Sequence, residues 1–313
     1  MKKFILGLLC GLLLTVSGAA FAAGGLKAAW LNAIFEVNGQ QVSKNAAAKA
    51  VNINGSIYVP LQFMAEALGG TAGYDADRHA VMVKNGPLDI TDTRVPGLSA
   101  GNILLSKSGK NTWITGQLQL AGVGNSLHTM TAVLSFYDED NRKIGEAPLN
   151  VKQLGVDKTT FTAVGNGDLR ASSEVFLQVR KLDGQVVPEQ ATIRYSNAKY
   201  GFTMKLPDSW QGKYAVVEGP TNPEGPANLL FKNRYGGILF SVLVWEPGEW
   251  KKSEAAIRDN AKVWKVGEAK GKVYTIVLPG DVQYDPNDAV WAAEYKAMAA
   301  DIPRIRISFS ASK

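Results

Sequence analysis

The chain has 313 residues and a formal net charge of +6, with 46% hydrophobic and 20% charged side chains. Its charge is dispersed: residues 89–194 carry 11 basic and 11 acidic side chains, and Lys251-Lys252 is the only adjacent basic pair beyond residue 195. Nucleic-acid binding requires a clustered basic face, so that class of partner is excluded, while the length allows two or three domains with packed cores.

Residues 1–22 read as a secretory signal peptide. Lys2 and Lys3 form its basic start, Phe4 to Val16 its apolar run, and Ala20-Phe21-Ala22 its small-x-small cleavage site. A membrane anchor needs about 20 apolar residues; this run is shorter and closes on Ser17-Gly18-Ala19-Ala20. Export is expected, giving a mature chain from Ala23 with a net charge of +4 and no membrane span after signal removal. Cys10, the only cysteine, leaves with the peptide, so packed cores rather than disulfides must carry the stability.

A small α+β pattern follows. Asn38-Gly39, after a strand expected over 33–37, and Asn54-Gly55 are two-residue hairpin signals, because both positions tolerate positive φ. Ile57 to Val59 read as a strand, and Pro60 stands where a helix can begin without losing a hydrogen bond. Leu61, Met64, Ala65 and Leu68 then fall at i, i+3, i+4 and i+7, an apolar face expected to pack on the sheet. Gly69-Gly70 end the helix, Tyr74 leads into the turn Asp75-Ala76-Asp77-Arg78, and Ala80 to Val83 return as a strand.

The run VNGQQV at 37–42, NINGSIYVPLQFMAEALGG at 52–70 and YDADRHAVMV at 74–83 resembles, in order, the copper amine oxidase N-terminal-like, or stalk, domain of Gram-positive surface proteins. Gln62 stands where that family has Arg, and Tyr74 where it has Trp. The resemblance implies a non-catalytic appendage, with no copper or quinone chemistry attached.

Residues 87–102, with Pro87, Pro96, Gly97 and Gly101, are expected to be a linker. From 103 to 194 short strands suggest a β-sandwich. Trp113, Thr115, Gln117 and Gln119 alternate with Ile114, Leu118 and Leu120, Gly116 interrupting the apolar side. The stretch VLSFYDEDNRKIGE at 133–146 resembles FxLYD-type immunoglobulin-like domains, its acidic residues read as a hairpin turn.

From 195 to 313 an antiparallel sheet with flanking helices is expected. Phe202, Met204 and Leu206 alternate along one strand; Ser253 is read as the cap of a helix carrying Ile257, Ala261 and Trp264. A last helix places Trp291, Tyr295, Met298, Ile302 and Ile305 on one stripe, with Pro303 bending it. YGFTMKLPDSW at 200–210 and the terminal helix resemble small PsbP-like domains.

The expected fold class is therefore α+β multidomain: a sheet-plus-helix stalk module over 31–86, a β-sandwich over 103–194, and a PsbP-like α+β domain over 195–313. No catalytic, cofactor or metal residue is assigned. His79 and His128 fall in different parts of the chain, and Asp285/Asp288 and Glu246/Glu249 read as turn or helix-cap carboxylates around Pro286 and Pro247. Of seven tryptophans, Trp113, Trp245, Trp264 and Trp291 are expected in cores, while Trp30 and Trp250 are the candidates for ligand or partner contact. The function expected is a secreted, non-catalytic cell-envelope binding or scaffolding protein, its partner a cell-wall polymer or another exported protein. An envelope hydrolase, or an inhibitor or sensor subunit, are the alternatives.

Overall fold

The computed structural model describes residues 28–42, 50–220 and 225–312. The expected signal peptide, residues 1–22, and part of the loop at 221–226 lie outside them.

The first unit runs β1 (Ala28–Leu31), β2 (Glu36–Val37), β3 (Gln40–Gln41), β4 (Ala50–Ile53), β5 (Ser56–Tyr58), α1 (Leu61–Ala67), β6 (Thr71–Asp75) and β7 (Ala80–Lys84). The sheet order is β1-β4-β5, with β2-β3 and β6-β7 as separate hairpins. Asn38 and Gly39 have φ of 52° and 76°, and Asn54 and Gly55 of 53° and 88°, the paired positive values that tight hairpin turns need. The helix face departs from expectation. Only Ala65 is fully buried, while Leu61 and Leu68 are 41% and 55% exposed. Seven residues make two turns, and three short strands are too small a floor to cover the whole stripe. Phe63 instead anchors the helix, edge-on to Phe35 at 4.9 Å.

The second unit contains β8 (Ile90–Thr91), β9 (Leu98–Ser108), β10 (Asn111–Leu120), β11 (His128–Tyr137), β12 (Lys143–Leu154), β13 (Thr159–Asn166), β14 (Glu174–Leu182) and β15 (Gln185–Val186). They form two four-stranded sheets, β13-β10-β9-β8 and β12-β11-β14-β15, around a core that includes Ile114, Leu118, Leu134, Phe136, Leu149 and Phe161. Gly116 is required there, because a Cβ would stand 2.6 Å from Ile103 and Phe161. The expected linker over 87–102 is corrected: it holds β8 and the start of β9, and Val95, Leu98 and Ala100 are core residues. Its Pro and Gly residues mark turns between strands, not a solvated tether.

The third unit comprises β16 (Thr192–Asn197), β17 (Phe202–Pro207), β18 (Tyr214–Glu218), β19 (Ala227–Asn233), β20 (Ile238–Trp245), α2 (Pro247–Asn260), β21 (Val263–Ala269), β22 (Lys272–Val277), α3 (Ala289–Ile307) and β23 (Ser310–Ala311). A five-stranded sheet, β18-β19-β20-β22-β21, and a three-stranded sheet, β16-β17-β23, share a core with Phe202, Trp210, Phe231, Phe240 and Ile305. The helix expected to run through Trp264 ends at Asn260; it starts at Pro247, leaving Ser253 mid-helix, and Trp264 lies in β21.

The expected α+β class is thus corrected to a mainly β, multi-sheet protein, with three α-helices among the described residues. The physical reason lies partly in α3, which is not a simple flank. It buries Met298, Ile302 and Ile305 against its own sheet, while Arg304 and Arg306 reach the sandwich.

That contact centres on Asp92, whose side chain is fully buried. It accepts hydrogen bonds from Val179 N (2.8 Å), Arg94 Nη2 (2.6 Å) and Arg304 Nη2 (2.6 Å). Burial pushes this carboxyl up, but the Arg94 hydrogen bond, the Val179 N–H and the Arg304 charge outweigh it and hold it below its usual range. Further along β14, the Arg306 guanidinium lies 4.1 Å from the Trp264 ring centre and 5.6 Å from that of Phe176, and pairs with Glu174. Removing one member of a buried ion pair strands its partners at about 3–5 kcal/mol. Asp92→Ala is therefore expected to lower unfolding free energy by about that amount, measured by chemical denaturation; a loss under about 1 kcal/mol, the size of an exposed pair, would contradict the role.

Candidate binding cleft

The outer face of the sheet β13-β10-β9-β8 is where the first two units meet. Alternation along β10 sends Ile114, Gly116 and Leu118 to the core and Trp113, Thr115 and Gln117 outward. The β6–β7 hairpin lies across β9 and β10 and covers part of this face. Gln117 is 2% exposed beneath it and donates through Nε2 to Gly70 O at 2.9 Å. Its Oε1 accepts from Asn102 Nδ2 at 2.6 Å, and Asn102 in turn accepts from Thr71 Oγ1 at its carbonyl and from Gly86 N at its side chain. A β-bulge makes this possible. Leu104 pairs with Thr115 and Gly101 with Gln117, so Asn102 and Ile103 together oppose Gly116, and Asn102 takes φ of 52°.

Where the cover ends, a cleft of about 550 Å³ opens between α1, β6 and the sheet. Tyr74 from the hairpin and Trp113 from β10 line it, 55% and 44% exposed. Hydroxyls of Ser106, Thr115, Thr160 and Thr162 form its floor and wall, and Gln62 and Glu66 close it on the helix side, bonded Nε2 to Oε1 at 2.8 Å. Register fixes the floor: Trp113 pairs with Ser106 on one side and Val164 on the other, and Thr115 pairs with Thr162.

An ion cluster pins the far end of the hairpin. Arg170 Nη1 lies 3.1 Å from Asp75, Nη2 lies 2.7 Å from Asp168 and 3.3 Å from Asp77, and Lys107 Nζ lies 3.1 Å from Asp77. Burial pushes the Asp75 carboxyl up, but the Arg170 and Arg78 guanidinium groups outweigh it and bring it below its usual range. The Lys107 hydrogen bond lowers Asp77, and the Arg170 hydrogen bond brings Asp168 down to about 2.

The two tryptophans chosen from sequence are not brought together. Trp30 is 72% exposed on β1, opposite Val51. Trp250 is corrected as a contact residue: it is 4% exposed in α2, its ring 5.5 Å from that of Trp245, because that face of α2 packs on Trp245, Val263 and Val273. His79 Nδ1 lies 3.4 Å from Tyr74 Oη, and His128 Nδ1 lies 2.6 Å from Asp183. Among the described residues no group of three or more His, Cys, Asp or Glu is placed to hold a metal. Asp288 caps α3 by accepting from Val290 N and Trp291 N, and Glu246 precedes α2 and pairs with Lys272. A second cleft of about 530 Å³ opens beside α3, but its Arg304 and Lys143 are engaged by Asp92 and Glu146. Sequence reasoning missed Trp113 and Tyr74. The signal was present, since Trp113 falls on the polar side of the β10 alternation with Thr115 and Gln117.

Residues 32–91 match the family model of the copper amine oxidase N-terminal domain. The match covers the first unit beyond β1 and reaches β8; it is confined to the N-terminal, non-catalytic part of those oxidases. No curated protein and no solved structure matches the chain. No helix among the described residues is long and apolar enough to cross a membrane.

The pinned hairpin makes the junction sensitive to acid. Folded-state values of Asp75, Asp77 and Asp168 lie below the unfolded ones. Their stabilisation is therefore complete above the ordinary carboxylate range, about pH 4, and is lost as pH falls toward about 2. Amide exchange in β6 is expected to accelerate, relative to the β10 core, between about pH 4 and 2.5, after correction for intrinsic exchange rates. An unchanged ratio would show that the cluster does not hold the hairpin.

Proposed function

We propose that the chain is exported and acts as a non-catalytic binding or scaffolding protein of the cell envelope, taking a segment of wall polymer into the Tyr74–Trp113 cleft. The observation that carries this reading is the cleft itself: two partly exposed rings over a floor of hydroxyls, shared between the stalk hairpin and the sandwich. Export rests on the signal-peptide composition of residues 1–22. The stalk match adds support, as do the FxLYD/Ig-like resemblance of residues 133–146 and the PsbP-like resemblance of residues 200–210, all modules of exported bacterial proteins. A protein partner is the second reading, favoured by exposed Ile57 and Tyr58 on β5 and Ile34 in the β1–β2 connection.

Dispersed charge distinguishes shaped recognition from simple attraction. A net charge of +4 on the mature chain is screened over about 8 Å at physiological salt. Retention of the mature protein on purified walls is expected to saturate and to persist at about 0.5 M salt, where ionic attraction has faded. Trp113→Ala is expected to weaken retention about tenfold, or about 1.4 kcal/mol. Retention that vanishes at that salt, or is indifferent to Trp113→Ala, would remove the cleft from the function. Release of soluble wall fragments over time would replace binding with hydrolysis.

A further inference from the structure

The geometry points to an uncharged, hydroxyl-rich pyranose chain as the cleft's ligand, bound through its sugar rings and not through the phosphates of an anionic polymer; this rests on the binding reading above. Among the described lining residues Lys107 is the only cation, and its Nζ is held by Asp77 at 3.1 Å. Glu66 is the only anion, and Gln62 donates to it. Phosphate recognition draws on cations and N–H donors aimed at the ligand, and this lining offers no unengaged cation.

The remaining chemistry suits a sugar. A pyranose ring has an apolar face of C–H bonds and a rim of hydroxyls, each a donor and an acceptor. Aromatic side chains pair a large apolar face with a polar handle, and Tyr74 and Trp113 present such faces to the cleft from two different units. Serine and threonine hydroxyls both donate and accept, so they can match a hydroxyl whichever way it turns. The strand register places them in rungs: Trp113 stands beside Ser106, and one rung on, Thr115 stands opposite Thr162. Successive rungs on one face of a strand are about 6.8 Å apart, so stacking and hydrogen-bonding groups alternate along the cleft at the scale of one sugar ring. Thr115 is 7% exposed at the base of the cleft, whereas Thr162 and Trp113 stand at the open rim. The hydrogen-bonded Gln62–Glu66 pair, one turn apart on α1, adds an amide and a carboxylate on the opposite wall.

The test uses the mature full-length protein in calorimetric titrations. The probes are two neutral tetrasaccharides, of β-1,4-linked N-acetylglucosamine and of β-1,4-linked glucose, with poly(glycerol phosphate) as the anionic comparison. At least one tetrasaccharide is expected to bind saturably, with little dependence on salt and no competition from poly(glycerol phosphate). Trp113→Ala and Tyr74→Ala are each expected to weaken it tenfold or more. Thr162→Val, a near-isosteric change at the rim, is expected to weaken it several-fold with an unchanged thermal midpoint. Tyr235→Ala, at a similarly exposed aromatic in the third unit, is expected to change nothing. Displacement by poly(glycerol phosphate), or affinity indifferent to Trp113→Ala and Thr162→Val in folded variants, would overturn the assignment. If neither tetrasaccharide binds while Trp113→Ala still abolishes wall retention, the sugar class is wrong and the cleft reading survives. If wall retention is also unaffected, both fall.

Discussion

Buried amides must find partners, and Gln117 and Asn102 bond each other but cannot satisfy their remaining groups within the sandwich. Both point to its outer face and both are 2% exposed. The remaining partners, Gly70 O for the Gln117 amide, Gly86 N for the Asn102 side chain and Thr71 Oγ1 for the Asn102 backbone carbonyl, belong to the stalk hairpin and its flanks. An unsatisfied buried amide costs about 1–3 kcal/mol, so the hairpin has one preferred seat. The bulge at Asn102 sets the aim, Gly116 keeps the core closed behind it, and the cleft edge follows from where the cover stops. A cleft shared by two units thus arises from a hydrogen-bonding requirement, before any ligand is considered.

The same logic joins the sandwich to α3. Asp92 sits in a turn between β8 and β9, and its oxygens tie that turn to β14 and to Arg304. Asn141 in the acidic turn donates to Arg306 O, and Asp138 organises that turn by accepting from Asp140 N and Arg142 N. Three units are thereby coupled by short polar links, with apolar packing mainly inside each. A cleft between two units keeps its shape only if the units keep their relative placement.

Much of this was legible locally. Asn-Gly pairs gave hairpins because positive φ is a backbone property, and of the turn or helix-cap carboxylates read at Asp285 and Asp288 the second caps α3, since capping needs only near neighbours. The alternation on β10 separated core from outer face, and even placed Trp113 among polar residues, though a large aromatic in a strand invites a core assignment. What failed depends on distant partners. Residues 87–102 look like a tether because Pro87, Pro96, Gly97 and Gly101 punctuate a largely polar stretch, yet their apolar members fill the sandwich. Trp264 sits at helical spacing from Ile257 and Ala261, but pairing with β22 claims it for a strand. Trp250 is covered by residues distant in sequence, Val263 and Val273, together with Trp245, and no local pattern announces that packing. Leu61 and Leu68 erred the other way, since a face drawn on a helical wheel is buried only where another element is large enough to receive it.

The central claim is that the site belongs to two units at once, and hydrogen exchange with and without a bound neutral oligosaccharide tests it most directly. The account predicts protection in both the hairpin, residues 71–75, and the facing strands, residues 111–118 and 159–164. Protection confined to one side, or appearing around β1 and β5 instead, would contradict it.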